Sequence, residues 1–284
     1  MSENCNGNCS GCSSAAGCAD AKPSRLNAIK HKVLVLSGKG GVGKSTVAAS
    51  LAVELAREGK KVAILDVDFH GPSQPTLFGI ARQRLHGNEK GAVPFEIAGV
   101  KIVSLGLLLD DADSALIWRG PAKIGVLNQL FEEVDWGDDL DVLVLDFPPG
   151  TGDEALSACQ TIPGDKSAIV VTTPQEVSLA DCRKCLDFCE KLNVRVLGIV
   201  ENMSSYVCPN CSARHALFSS GGGRKLADSK GLELLAEIPL DPKFLAACDE
   251  GRLPQGMIAS EAVSSEIAKV ARAVLEHDAE QENA

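Results

Sequence analysis

Val33-Leu34-Val35-Leu36-Ser37-Gly38-Lys39-Gly40-Gly41-Val42-Gly43-Lys44-Ser45-Thr46 is the stretch whose reading decides the fold. A β-branched apolar run ends in a glycine-rich turn, and a helical pattern from Val47 to Arg57 follows. This satisfies G-x-x-x-x-G-K-[ST] between a strand and a helix, the setting a phosphate-binding loop (P-loop) requires. Gly40, Gly41 and Gly43 allow positive φ and close approach of backbone to a phosphate. The free N–H groups and the helix N-terminus then face the anion. Lys44 is expected to reach the β- and γ-phosphates and the Ser45 hydroxyl to hold Mg²⁺. Gly38, Lys39, Val42 and Thr46 complete the expected ATP contacts. Lys39 stands out, because an ordinary loop of this kind needs no second lysine.

Outward from the loop, helices and strands alternate along the chain. Lys61 to Leu65 reads as a strand that delivers Asp66-Val67-Asp68 and Gly71-Pro72-Ser73 at its carboxyl end, where open α/β sheets place their chemistry. Asp68 is a candidate to orient the attacking water, and Asp66 to bind Mg²⁺ through water. Residues 79 to 99 read as irregular, Val100 to Leu105 as a strand, and Trp118-Arg119-Gly120-Pro121 as the opening of a helix to about Val134. Asp141 to Asp146 is a buried strand ending in an acid placed to bear on the Mg²⁺ water shell. The Phe147–Asp153 loop after it is suited to sensing a γ-phosphate. Further strands are expected at 168–172, 194–200 and 234–240, with helices over 177–192, 221–229, 242–249 and 261–276 and a frayed acidic tail. The fold class is α/β: a mostly parallel sheet with helices on both faces. Asn202, at a strand end, can donate to and accept from an adenine edge; Pro239, in the last strand, is placed with it among the nucleotide contacts.

The chain has 284 residues, eleven cysteines and a net charge of −10. Acidity without a basic run argues against nucleic-acid partners. No apolar run is long enough for a membrane helix, and the first residues lack the charged and apolar regions of a secretory signal. A cytoplasmic setting follows, in which cysteines point to metal or redox chemistry rather than disulfides. Cys5-x3-Cys9-x2-Cys12-x5-Cys18 lies in a segment with nothing apolar larger than alanine. It is read as a flexible unit, 1–25, ahead of one ATPase domain, 26–284. Four closely spaced thiolates suit an iron–sulfur cluster or structural zinc. Cys208-Pro209-Asn210-Cys211 has no second pair nearby, and two thiolates cannot complete a four-ligand site; two copies of the chain would supply four. A surface redox pair and a zinc site that borrows His215 are the alternatives. Cys182, Cys185 and Cys189 share one helical face and read as small core residues.

Taken in order, these motifs resemble the deviant Walker A ATPases, which include ParA, MinD and the nitrogenase iron protein, and most specifically the Mrp/ApbC iron–sulfur carriers. The resemblance covers about residues 30 to 260. It implies that Lys39 crosses a dimer interface to the partner's nucleotide, so that Lys39, Lys44, Asp68 and Asp146 form the catalytic set. It implies a homodimer bridging a [4Fe–4S] cluster through Cys208 and Cys211, ATP gating, and transfer to apo-proteins. The Cys5, Cys9, Cys12 and Cys18 segment resembles an extension that binds a second cluster, with a shorter first gap here. The other readings left open are a ParA/MinD-like positioning ATPase with structural zinc and an ATP-driven electron-transfer protein.

Overall fold

The protein is described from a computed structural model, which covers residues 25–108, 120–208, 210–211 and 213–282. Cys5, Cys9, Cys12, Cys18, Trp118 and Arg119 lie outside the described residues.

The strand following the N-terminal segment, β1 (His31–Ser37), is buried along its whole length. Parallel strands covered on both faces need apolar side chains at every position rather than at every second one. Val33-Leu34-Val35-Leu36 meets this demand and sorts its residues by face. Val33 and Val35 join one core cluster, Leu34 and Leu36 the other. The same division recurs in β7 (Val142–Asp146), where Val142 and Val144 face one way and Leu143 and Leu145 the other. One core is closed by α1 (Lys44–Arg57), α2 (Gln74–Leu77), α7 (Pro242–Asp249), α8 (Leu253–Ala259) and α9 (Glu261–Glu282). The other is closed by α3 (Gly120–Glu133), α4 (Asp153–Thr161), α5 (Glu176–Lys191) and α6 (Gly222–Lys230).

The remaining strands are β2 (Val62–Asp66), β3 (His86–Asn88), β4 (Gly91–Val93), β5 (Phe95–Ile97), β6 (Val100–Ser104), β8 (Ser167–Thr172), β9 (Arg195–Val207), β10 (Arg214–His215) and β11 (Leu234–Leu240). The main sheet runs β10-β9-β8-β1-β7-β2-β6-β5, with β11 also paired to β9. Pairing is parallel except at β5 with β6 and β10 with β9. Parallel register sets Val35 beside Asp146, and Asp66 beside Asp146 as well. The P-loop therefore leaves the sheet where β1 lies between β7 and β8, with two acidic strand ends at its side.

Three expectations need correction. Residues 79–99 are not all irregular: they contain the β3–β4 hairpin and β5. The strand expected over 194–200 continues to Val207, because β11 and β10 pair with its polar half, Tyr206 aligning with both Leu240 and His215. The C-terminal tail is not frayed at Glu276. Helix α9 runs to Glu282, with His277 and Asp278 buried against the start of β1 and Lys60 donating to Asp278 at 3.3 Å.

Candidate functional site: a phosphate cleft and a cysteine hairpin

A cleft of about 530 Å³ opens at the carboxyl end of the sheet, lined among others by Lys39, Gly41, Lys44, Ser45, Asp68 and Pro149. Gly41 and Gly43 have φ of 79° and 80°. Gly43 is the N-cap of α1 and makes no side-chain capping bond. The helix thus presents its first N–H groups unoccupied by any side chain, as anion binding requires. Gly38 answers a different constraint: a Cβ there would stand 2.3 Å from the Asp181 carbonyl carbon, so α5 packs directly on the loop's entry.

The charged groups converge beneath the loop. The Lys44 ammonium, buried, donates to Asp146 Oδ1 and, at 3.3 Å, to Ser45 Oγ. The Gln74 carboxamide Nε2 donates to Asp146 Oδ2 at 2.8 Å and to the Ser45 carbonyl at 3.0 Å. Asp66, fully buried, accepts from the Gln74 N–H, the Asp68 N–H and Ser104 Oγ, each at 3.1 Å. Burial, then the neighbouring Asp146 charge, push the Asp66 carboxyl up to about 8, against the pull of those N–H groups and Lys44. Asp68 accepts from the N–H groups of His70 and Gly71 at 3.1 and 3.2 Å, which shapes the loop after β2. Lys39 is half-buried at the cleft, and its ammonium has no hydrogen-bond or ion-pair partner among the described residues. Ser45, Asp146 and Asp66 form a hard, oxygen-rich donor set of the kind Mg²⁺ takes. Such a cation would rest on the Ser45 hydroxyl and on waters held by the acids, and would neutralise phosphate charge.

Two residues expected at the nucleotide are not among the lining residues of this cleft. Asn202 does not line the cleft; its amide donates to the Val42 carbonyl at 2.8 Å, bracing the P-loop from β9. Pro239 is buried in β11, away from the cleft wall. Sequence reading missed Gln74, and missed Lys123 and Glu154. His70 Nε2 lies 3.0 Å from Glu154 Oε1 and 3.1 Å from Lys123 Nζ, which also pairs with Glu154. This network ties the loop after β2 to α4, at the end of the Phe147–Asp153 loop. A charged residue in the first turn of a helix was the available signal, and it is a common one.

The cysteine pair sits on a different element. β9 and β10 form a hairpin, closed by Cys208 N–H donating to the Ala213 carbonyl at 2.9 Å. Cys208 is half-exposed and Cys211 exposed. The Asn210 and Cys211 N–H groups pull the Cys208 thiol below its ordinary range, towards the thiolate that binds metals. Among the described residues no group of three or more His, Cys, Asp or Glu stands together to hold a metal. Cys182, Cys185 and Cys189 are buried in the core, as their helical spacing suggests.

Fold and cleft define a P-loop NTPase whose loop carries a second lysine. The profile described as ParA, NUBPL iron-transfer P-loop NTPase, matches residues 28–276, and the chain belongs to that family. An iron–sulfur cluster carrier protein of Methanocaldococcus jannaschii is 42% identical, with 96% of this chain and 97% of the relative aligned. The cytosolic Fe-S cluster assembly factor NUBP2 of Gallus gallus is 47% identical over 82% of this chain and 87% of its own. Among solved structures, an Archaeoglobus fulgidus nucleotide-binding protein in complex with ADP superposes with a TM-score of 0.72 at 41% identity, covering 81% of this chain and 90% of that one. The Pyrococcus furiosus cell-division ATPase MinD shares the fold at 24% identity and a TM-score of 0.63, covering 87% of this chain and 99% of that one. No helix among the described residues is long and apolar enough to cross a membrane.

Proposed function

We propose that this chain is an ATP-dependent carrier of iron–sulfur clusters, working as a homodimer. Cys208 and Cys211 of two copies hold one [4Fe–4S] cluster and pass it to apo-proteins in the cytoplasm. The observation that carries this reading is the isolated, exposed thiol pair on a hairpin that grows out of the nucleotide-binding sheet. Two thiolates are half of a cluster's ligands, and a two-fold axis supplies the other half. Transfer is ligand exchange: client thiolates replace carrier thiolates on iron, and no electrons move.

In the cleft, Lys44 leaves Asp146 for the β- and γ-phosphates when ATP enters, which frees Asp146 Oδ1 for the Mg²⁺ water shell. Asp68 orients the attacking water. Lys39, without a partner among the described residues of its own chain, reaches the other protomer's nucleotide. Hydrolysis is slow because the catalytic arrangement needs both protomers. Cys5, Cys9, Cys12 and Cys18 bind a second cluster. The family relationship and the names of the relatives support this reading over a positioning ATPase or an electron donor.

Anaerobic reconstitution with iron and sulfide, followed by iron analysis, tests it. Replacing Cys208 and Cys211 by alanine in the full chain removes about two iron per chain and leaves ATP binding intact. An unchanged iron content defeats the proposal.

A further inference from the structure

We infer that Gln74 belongs to the metal site of the cleft: its carboxamide nitrogen fixes Asp146, and its carboxamide oxygen accepts a hydrogen bond from a water on the bound Mg²⁺. The inference builds on the nucleotide reading above and adds a residue to it.

Gln74 opens the short helix α2, straight after Gly71-Pro72-Ser73. Its side chain is fully buried. Both hydrogens of Nε2 are used, one on the Ser45 carbonyl and one on Asp146 Oδ2. Both partners are acceptors, so the orientation of the amide is fixed. Exchanging O and N would press a carbonyl oxygen against a carboxylate and a second carbonyl. Oε1 is therefore the atom left over, and it has no hydrogen-bond partner among the described residues. The other buried side-chain atoms without partners among the described residues belong to His31, Ser50, Trp136 and His277, none of which is bonded to Ser45 or Asp146 as Gln74 is.

A buried acceptor with no donor carries the full cost of its lost hydration. The Nε2 bonds to Asp146 and the Ser45 carbonyl account for a donor at this position, but packing does not account for the orphaned oxygen beside it. A donor that arrives with the ligand does. Ser45 offers Gln74 its carbonyl and offers a cation its hydroxyl; Asp146 offers Gln74 one oxygen and leaves the other to Lys44. Gln74 is thus bonded to both residues expected to hold the metal and its waters. A water bound to a divalent cation spends its lone pair on the metal and presents two polarised hydrogens. It needs acceptors, and Oε1, on a side chain bonded to both Ser45 and Asp146, is one without a donor among the described residues. Partners of this kind orient ligands and tune metal affinity.

The test uses full-length protein with ADP, and Mn²⁺ in place of Mg²⁺, titrated by electron paramagnetic resonance. Wild type is compared with Gln74→Leu and Gln74→Glu, and ADP affinity in EDTA reports whether the loop remains formed. Gln74→Leu is expected to lower Mn²⁺ affinity by about 10- to 100-fold with metal-free ADP affinity unchanged. Gln74→Glu keeps an acceptor oxygen but gives up the Nε2 bonds to Asp146 and the Ser45 carbonyl, and is expected to weaken Mn²⁺ binding less than leucine does. Wild-type Mn²⁺ affinity in the leucine variant overturns the inference, as does loss of metal-free ADP binding, which would make Gln74 a support of the loop. Equal weakening by leucine and glutamate overturns the role of Oε1. If wild type itself binds no Mn²⁺ with ADP, the nucleotide reading falls, a result separate from any behaviour of the variants.

Discussion

The phosphate cleft and the cysteine hairpin share one strand and are built on opposite terms. In the cleft, most charges already have partners within the chain: Lys44 on Asp146, Gln74 on Asp146 and Ser45, Asp66 on two N–H groups and a hydroxyl. At the hairpin, two thiols stand towards solvent with backbone N–H groups as their support. The first region is a closed set waiting to exchange one partner for a phosphate. The second is an open set, which on the proposed reading a second copy completes. β9 joins them: Asn202 braces the P-loop at Val42, and the strand runs on to the hairpin, about 20 Å further at ~3.3 Å per residue.

Separate substitutions should break the two halves independently. The largest effect is expected at the hairpin. In a chain whose Cys5, Cys9, Cys12 and Cys18 are already serine, Cys208→Ser or Cys211→Ser removes the shared cluster altogether, seen as loss of visible absorption, while fluorescent ATP analogues bind as to wild type. Next in size is Lys39→Ala. A lysine with no partner among the described residues of its own chain contributes little to folding or to its own nucleotide, so ATP binding and melting temperature hold. Hydrolysis falls by roughly a hundredfold, the scale of one lost transition-state contact, and this is checked by phosphate release.

The smallest effect is a pH dependence confined to the cleft. Asp66 titrates near 8 in the folded chain and near its ordinary carboxylate value when unfolded. The folded state therefore binds a proton that the unfolded state has lost. The stability this proton supplies is full below the unfolded value and drains away as pH rises through about 8, at no more than about 1.4 kcal/mol per pH unit. Thermal melts of nucleotide-free protein from pH 6 to 9 should fall for wild type. Asp66→Asn, weaker at pH 6 because it gives up the bond from the Asp68 N–H, should be flatter over the same range.

What the sequence disclosed follows the same division. Val33 to Thr46 announced strand, loop and helix because the glycines and Lys44-Ser45 meet demands that few other sequences meet. The two faces of the sheet were legible in the Val-Leu alternation of β1 and β7. The far half of β9 was not: Glu201 to Ser205 is polar, and its pairing comes from β11 and β10, distant in the chain. Helix α9 was cut short for a like reason. Glu276 to Glu280 reads as a solvated tail until His31 and Lys60 are placed against His277 and Asp278. Asn202 showed its chemistry but not its bond to the Val42 carbonyl. Gln74 gave no sign, since its value depends on three carbonyl and carboxyl groups that only folding assembles.

The incompleteness of the Cys208–Cys211 pair within one chain is tested most directly by weighing the holo-protein. Full-length protein reconstituted anaerobically, and a variant with Cys5, Cys9, Cys12 and Cys18 changed to serine, would be run by size-exclusion chromatography with light scattering and iron analysis across the peak. All cluster iron in the serine variant is expected in a dimer, at about four iron per two chains, with none in the monomer fraction. A monomer carrying a full cluster on Cys208 and Cys211 would contradict the account.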